Sequence, residues 1–258
     1  MNMATMGSID RVGVLDQLAG MIRWCLLWCL FQGVLMGAPA VKVLAWDDAV
    51  SARKLSLVRG ESEVEITGMH PNKRSGALRL KGAGPVFLRA LDKAAGEDGK
   101  PVQRECKVPE GMTHPLLLVM ADEKHPTGVR VVVFDDNPAE FPWGAYRFLN
   151  ATPKEMVAQM EQKAVKLPTG WKAVNLTLDG DVRGVGARLA LAEKIETPLY
   201  TAIWEYDPTI RTLCFIVPAT DPRMGVVEVK AVPEDRRTVE LEAQDERAAG
   251  GGAAAESE

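Results

Sequence analysis

His70, His114 and His125 are the only histidines, and they are where a search for chemistry begins. No two are spaced i,i+4, and no cysteine pair stands near them, so the usual zinc spacings are missing. His114 and His125 flank the apolar run Pro115 to Asp122. Read as one strand, that run holds the two imidazoles more than about 25 Å apart, at about 3.3 Å per residue. Neither a metal nor any other cofactor is expected.

The acidic candidates are as sparse. Asp179-Gly180-Asp181 opens like a calcium loop, but its fifth position is Arg183 and its twelfth is Ala190. Those positions must supply an oxygen ligand and a glutamate, so the match fails. Asp122-Glu123 and Asp135-Asp136 read as polar loop residues. There is no Gly-x-Ser-x-Gly elbow, since Ser62 lacks the second glycine. Gly184-Val185-Gly186 lacks the third glycine of a dinucleotide turn, and no phosphate loop is present. A hydrolase would need two carboxylates that only folding brings together, which makes a cryptic hydrolase the third-ranked reading.

Aromatic and sulfur chemistry remain. Phe141 to Tyr146 sets Trp143 and Tyr146 around Gly144, a platform for a sugar ring or equally a core plug. Strand alternation puts Tyr200, Trp204 and Tyr206 on one face. These five aromatics are the ligand-binding candidates. Cys106 and Cys214 both lie in apolar runs; they are a disulfide candidate, and they also suit small buried positions. Asn150-Ala151-Thr152 and Asn175-Leu176-Thr177 match the glycosylation sequon.

Charge adds an exclusion. The net charge is −4, and residues 234–258 alone hold eight acids against three bases. The stretch 41–233 is nearly neutral and gives no general attraction for nucleic acid. Lys73-Arg74 is a tight basic pair within it, and beside His70-Pro71-Asn72 it reads as a solvated turn.

The elements that must position these residues begin with an address. Arg23, an apolar stretch over 24–36 and Ala38-Pro39-Ala40 form the three parts of a secretory signal peptide. The stretch is too short to span a bilayer. Cleavage after Ala40 is expected, with residues 1–40 comprising an extension and a signal over 21–40, and Met21 is the expected true start. The mature chain is expected to carry no transmembrane segment and to be periplasmic or extracellular.

From Lys54 onward, short apolar or alternating runs recur between Gly, Pro, Asn and Asp clusters, which indicates a sandwich or barrel. Thr152-Pro153-Lys154-Glu155 is a helix-opening signature. Its rival is a hairpin, Met156 to Met160 and Ala164 to Leu167. An echo at an offset of 83–87 residues links Thr113-His114-Pro115 to Thr197-Pro198 and favours the hairpin. The tail 234–258, rich in charge, Ala and Gly, is expected to be disordered.

The expected fold is all-β: two packed immunoglobulin-like or jelly-roll-like antiparallel sandwiches, 41–138 and 139–233, carrying an internal duplication. One larger sandwich is the alternative. The expected function is that of an exported, non-enzymatic structural or protein-binding module of the cell envelope. Its partner would be an envelope protein or a polysaccharide. A carbohydrate-binding module is the second reading.

Overall fold

The run Pro115–Ala121 is apolar at every position, too short for a typical helix, and so fits a strand buried on both faces. The computed structural model, which describes residues 40–255 apart from 97, 222 and 224, makes it a central strand. The first half holds β1 (Ala40–Ala45), α1 (Asp48–Ser51), β2 (Leu55–Arg59), β3 (Ser62–Glu65) and β4 (Leu78–Arg79). It continues with β5 (Val86–Ala90), β6 (Gln103–Cys106), β7 (Pro115–Ala121) and β8 (Val129–Asp135). The second half holds β9 (Ala145–Asn150), β10 (Met156–Met160), β11 (Lys163–Leu167) and β12 (Ala173–Thr177). Then come β13 (Arg183–Leu191), β14 (Lys194–Tyr206), β15 (Ile210–Pro218), β16 (Val227–Asp235) and α2 (Arg236–Ala255).

Four four-stranded sheets result, so the all-β fold of two packed sandwiches is observed. The first half forms sheets β4-β1-β7-β8 and β3-β2-β5-β6. The second forms β12-β9-β15-β16 and β11-β10-β13-β14, the same strand order repeated. That repeat supports the duplication. It also corrects its register. Lys42 pairs with Leu116 as Arg147 pairs with Leu213, and Leu57 pairs with Leu88 as Ala158 pairs with Leu189. Equivalent residues therefore stand roughly a hundred positions apart, not 83–87. The echo matched turn dipeptides, and turns recur in any sandwich.

The expectation of wholly antiparallel sheets is corrected. β1 runs parallel to β7, and β9 parallel to β15. Parallel neighbours need a long crossover between them. Here the crossover is the other sheet of the same sandwich.

Three cores follow from side-chain alternation. Val43, Leu117 and Val119 point into the first sandwich with Leu57 and Leu88. Phe148, Cys214 and Ile216 point into the second with Met156 and Leu189. The intervening residues Leu44, Leu116, Leu118, Leu149, Leu213 and Phe215 meet in a middle core between the halves. Trp171 joins it from a turn in which Gly170 and Trp171 both adopt left-handed backbone, φ 81 and 63°. Trp171 tolerates that conformation because its indole packs on Trp46, Phe134 and Phe215. Either half alone would expose the middle core's face to water. We expect each half expressed by itself to bind an apolar dye and to aggregate in gel filtration; a monomeric, dye-silent half would contradict this.

The helix signature at 152–155 gives way to the hairpin β10–β11, in full register from Met156–Leu167 to Met160–Lys163. Its two-residue loop sets Glu161 at φ 53°, where Arg183 clasps the Glu161 carboxylate with two bonds of 2.8 and 3.0 Å. Burial of Met156, Ala158 and Met160 on one face outweighs the local helix preference.

The disordered tail is a further correction. Glu234 and Asp235 complete β16, and 236–255 is helical. Asp235 accepts from the Arg237 amide at 2.8 Å, and Arg236 pairs with Glu240 one turn on. The expected signal segment and extension lie outside the described residues except for Ala40, which pairs with Arg79 as the first residue of β1.

Candidate functional site

The ends of four strands bring charge together at one edge of the middle core. Arg211, the second residue of β15, stands opposite Glu234 of β16. Its Nε donates to Glu234 at 2.7 Å, and its Nη2 reaches Asp136 at 3.1 Å. Nη1 donates to the carbonyls of Asp136 and Phe141. Arg74, which belongs to the first half with Asp136, forks onto the Asp136 carboxylate at 2.8 and 3.1 Å, and its Nε lies 3.6 Å from Glu234 of the second half. Lys42 of β1 donates to Glu234 at 3.0 Å. The side chains of Arg74, Arg211 and Asp136 are 2%, 3% and 5% exposed, so these pairs sit in low dielectric.

An aromatic ladder extends the cluster. The Arg147 and Arg211 guanidiniums flank the Phe141 ring at 4.4 and 5.1 Å, and Arg211 lies 4.9 Å from the Trp143 ring. Arg147 also holds the Asp135 and Glu140 carbonyls and the Asn175 side chain. Gly144 follows Trp143 at φ 77°, and a Cβ there would stand 3.1 Å from the Tyr206 hydroxyl. Glycine therefore lets the chain turn from the Trp143 loop into β9 beneath Tyr206.

The duplication shows through this cluster. By strand register Lys42 answers to Arg147. The Asp136 amide bonds the His114 carbonyl where Arg211 faces Glu234, so His114 answers to Arg211 and Asp136 to Glu234. The clamp thus joins the same sheet corner of each repeat.

A cavity of about 230 Å³ opens beside the clamp. Its charged floor is Lys42, Asp136 and Arg211, and its apolar wall includes Pro115, Pro138 and Trp143. Val239, Glu242 and Ala243 of α2 close one side. The Arg211 N–H groups are all directed at partners, and Asp136 accepts from two guanidiniums. The floor is therefore built as a clamp rather than as a free acid–base pair.

Glu234 gives the clamp a pH dependence. Burial raises its pKa, but Arg74, Lys42 and Arg211 outweigh burial and the net shift is downward. A depressed carboxylate contributes stability above its unfolded value, about 4.3, and loses it as pH falls through the folded value. Urea unfolding from pH 7 to 3 is expected to show a steeper acid loss for the natural chain than for Glu234→Gln. Parallel curves would refute the assignment.

The sequence-derived aromatics fare differently from one another. Trp143 is half-buried at the cavity wall. Tyr146 and Tyr206 are buried in the second core, and their hydroxyls donate to the carbonyls of Glu205 and Leu178. Tyr200 and Trp204 pack against that core, where the Trp204 Nε1 donates to the Tyr200 hydroxyl at 3.1 Å. The row on β14 therefore faces inward and forms no open platform.

Cys106 and Cys214 are both free and belong to different cores, so the disulfide candidate is corrected. Burial pushes the Cys106 thiol up to about 12, and it raises Cys214 as well. Both thiols are expected to resist a thiol-reactive chromogen in the native chain and to react on unfolding; prompt native labelling would contradict the packing.

The two sequons are structural. Asn150 is fully buried, and the Asn175 side chain links Arg147 to the Glu140 carbonyl. Sequence reasoning missed Arg74, set aside as a solvated turn, and Asp136, set aside as a loop acid. Arg211 and Glu234 passed unremarked. No local spacing in the sequence carried a signal for them.

Among the described residues no group of three or more His, Cys, Asp or Glu is placed to hold a metal ion. No family model matches the chain, and no curated protein matches it. Among solved structures, a proposed cell adhesion protein from Bacteroides uniformis is similar over 78% of this chain and 99% of its own. Identity there is 10% and the TM-score 0.20, too low to argue from.

Proposed function

We propose that the protein is an exported module of the cell envelope that works by binding or structural support, not by catalysis. The observation that carries this reading is the clamp. The densest set of buried ionisable side chains described is spent on joining the two repeats. A rigid body with a middle core is suited to presenting surfaces at fixed separation. The division into domains at 41–138 and 139–233 belongs to this reading, with the clamp locking them together. The export pattern over 23–40 supports a periplasmic or extracellular address. No helix among the described residues is long and apolar enough to cross a membrane.

The carbohydrate reading now rests on Trp143 alone, because the other four aromatics pack in or on the second core. The hydrolase reading would need Asp136 freed from both arginines.

The test is a crosslinking pull-down from envelope extract with the mature chain 41–258. A stoichiometric protein partner, lost on a charge-reversing change at the contact it identifies, is the expected result. Recovery of polysaccharide alone, abolished by Trp143→Ala, would replace this reading with the carbohydrate one. Capture of neither would overturn it.

A further inference from the structure

The helix α2 is an outlier in this β-structure. None of its residues 236–245 belongs to the three cores. Within 236–245 only Val239 and Ala243 are partly buried, and they stand i,i+4 on one face beside Glu242. Leu241 on the other side is 60% exposed. The helix also contains Gly250-Gly251-Gly252, which weakens it by its own propensity. A helix that docks through one turn of residues 236–245 and is weak in isolation belongs to the part of a structure that opens at lowest cost. What it covers is the cavity, whose wall of Trp143, Pro115 and Pro138 is apolar and whose floor is locked by the clamp.

We propose that this cavity is a helix-docking site, with α2 as its intramolecular occupant. The partner it fits is a helix of another protein presenting a branched apolar residue and a small residue four positions apart, with an acid beside them. Such a helix enters as α2 leaves, the i,i+4 mode of helix-in-groove recognition. The acid would enter the cavity that Lys42, His114 and Glu242 line together. This deepens the reading of the protein as a binding module by naming the surface and the class of partner.

The test uses a labelled synthetic peptide of residues 236–250 as the probe, read by fluorescence anisotropy. Its targets are the mature chain, the chain ending after Asp235 and the full-length variant Val239→Asp. Ending at Asp235 keeps Glu234 and the clamp, and a thermal melt checks folding. The peptide is expected to bind the shortened chain at least tenfold more tightly than the mature chain. Val239→Asp should bind it with intermediate affinity and show greater quenching of Trp143 by iodide. A peptide carrying Val239→Asp should lose binding. Equal binding to the mature and shortened chains, or binding to neither, overturns the proposal. Should the shortened chain fail to fold, the full-length variant decides in the same way. Peptide binding without an envelope partner would sink the envelope reading alone. An envelope partner without peptide binding would sink the docking site alone.

Discussion

Replacing Arg211 with methionine is expected to lower stability by about 3–5 kcal/mol, because it takes the guanidinium they share away from two buried carboxylates. Asp136 and Glu234 both lean on this guanidinium, through Nη2 and Nε respectively. In a chain of this size about 2–4 °C of melting temperature goes with each kcal/mol, so a fall of roughly 6–20 °C should appear in a thermal scan. Arg211→Lys should recover little, since one ammonium cannot fork between two carboxylates and two carbonyls. A variant melting within a degree or two of the natural chain would show that the clamp is not what joins the halves.

Asn150→Asp is expected to cost about 3 kcal/mol or more, although it changes one atom of the side chain. Asn150 uses its whole hydrogen-bonding capacity inside the second sandwich. Its Nδ2 donates to the carbonyls of Lys154 and Leu167, and its Oδ1 accepts from the Thr152 amide and hydroxyl. An aspartate there turns two donors into acceptors facing two carbonyls, at a position fully buried from solvent. Denaturant unfolding at pH 7 should show a lowered midpoint with unchanged slope. Asn150→Ala should be milder, since it leaves unmet groups but buries no charge. If aspartate were tolerated better than alanine, the arrangement described would be wrong. The same bonding makes Asn150 a poor glycan acceptor once folded.

These two residues mark how far sequence reading reaches. Outside the hairpin β10–β11, the strands from β2 to β16 were legible in whole or in part because burial on one or both faces writes itself as alternation or as a continuous apolar run. β1 was passed over because Val41 to Ala45 follows directly on an export-like stretch and reads as its flank. The hairpin at 156–167 was readable only as one of two alternatives. Its helix signature is local, whereas the pairing of β10 with β13 that overrides it is not.

The clamp was invisible for a stronger reason. Arg74, Asp136, Arg211 and Glu234 are scattered in the chain, and each alone has the appearance of a solvated charge beside a turn. Their partners are defined by strand register across two repeats, and ionic attraction leaves no periodic trace in sequence. The inward turn of Tyr200, Trp204 and Tyr206 belongs to the same class: alternation places them on one face but does not say which face meets the core.

Sequence by itself thus determined the all-β class, most strand positions and the lack of a recognisable catalytic or metal motif, because those depend on local periodicity and spacing. Tertiary structure alone decided the register of the duplication, the middle core, the free state of both cysteines and the charged corner. Those depend on which sheet faces are brought together, and burial then fixes what each charge must pair with.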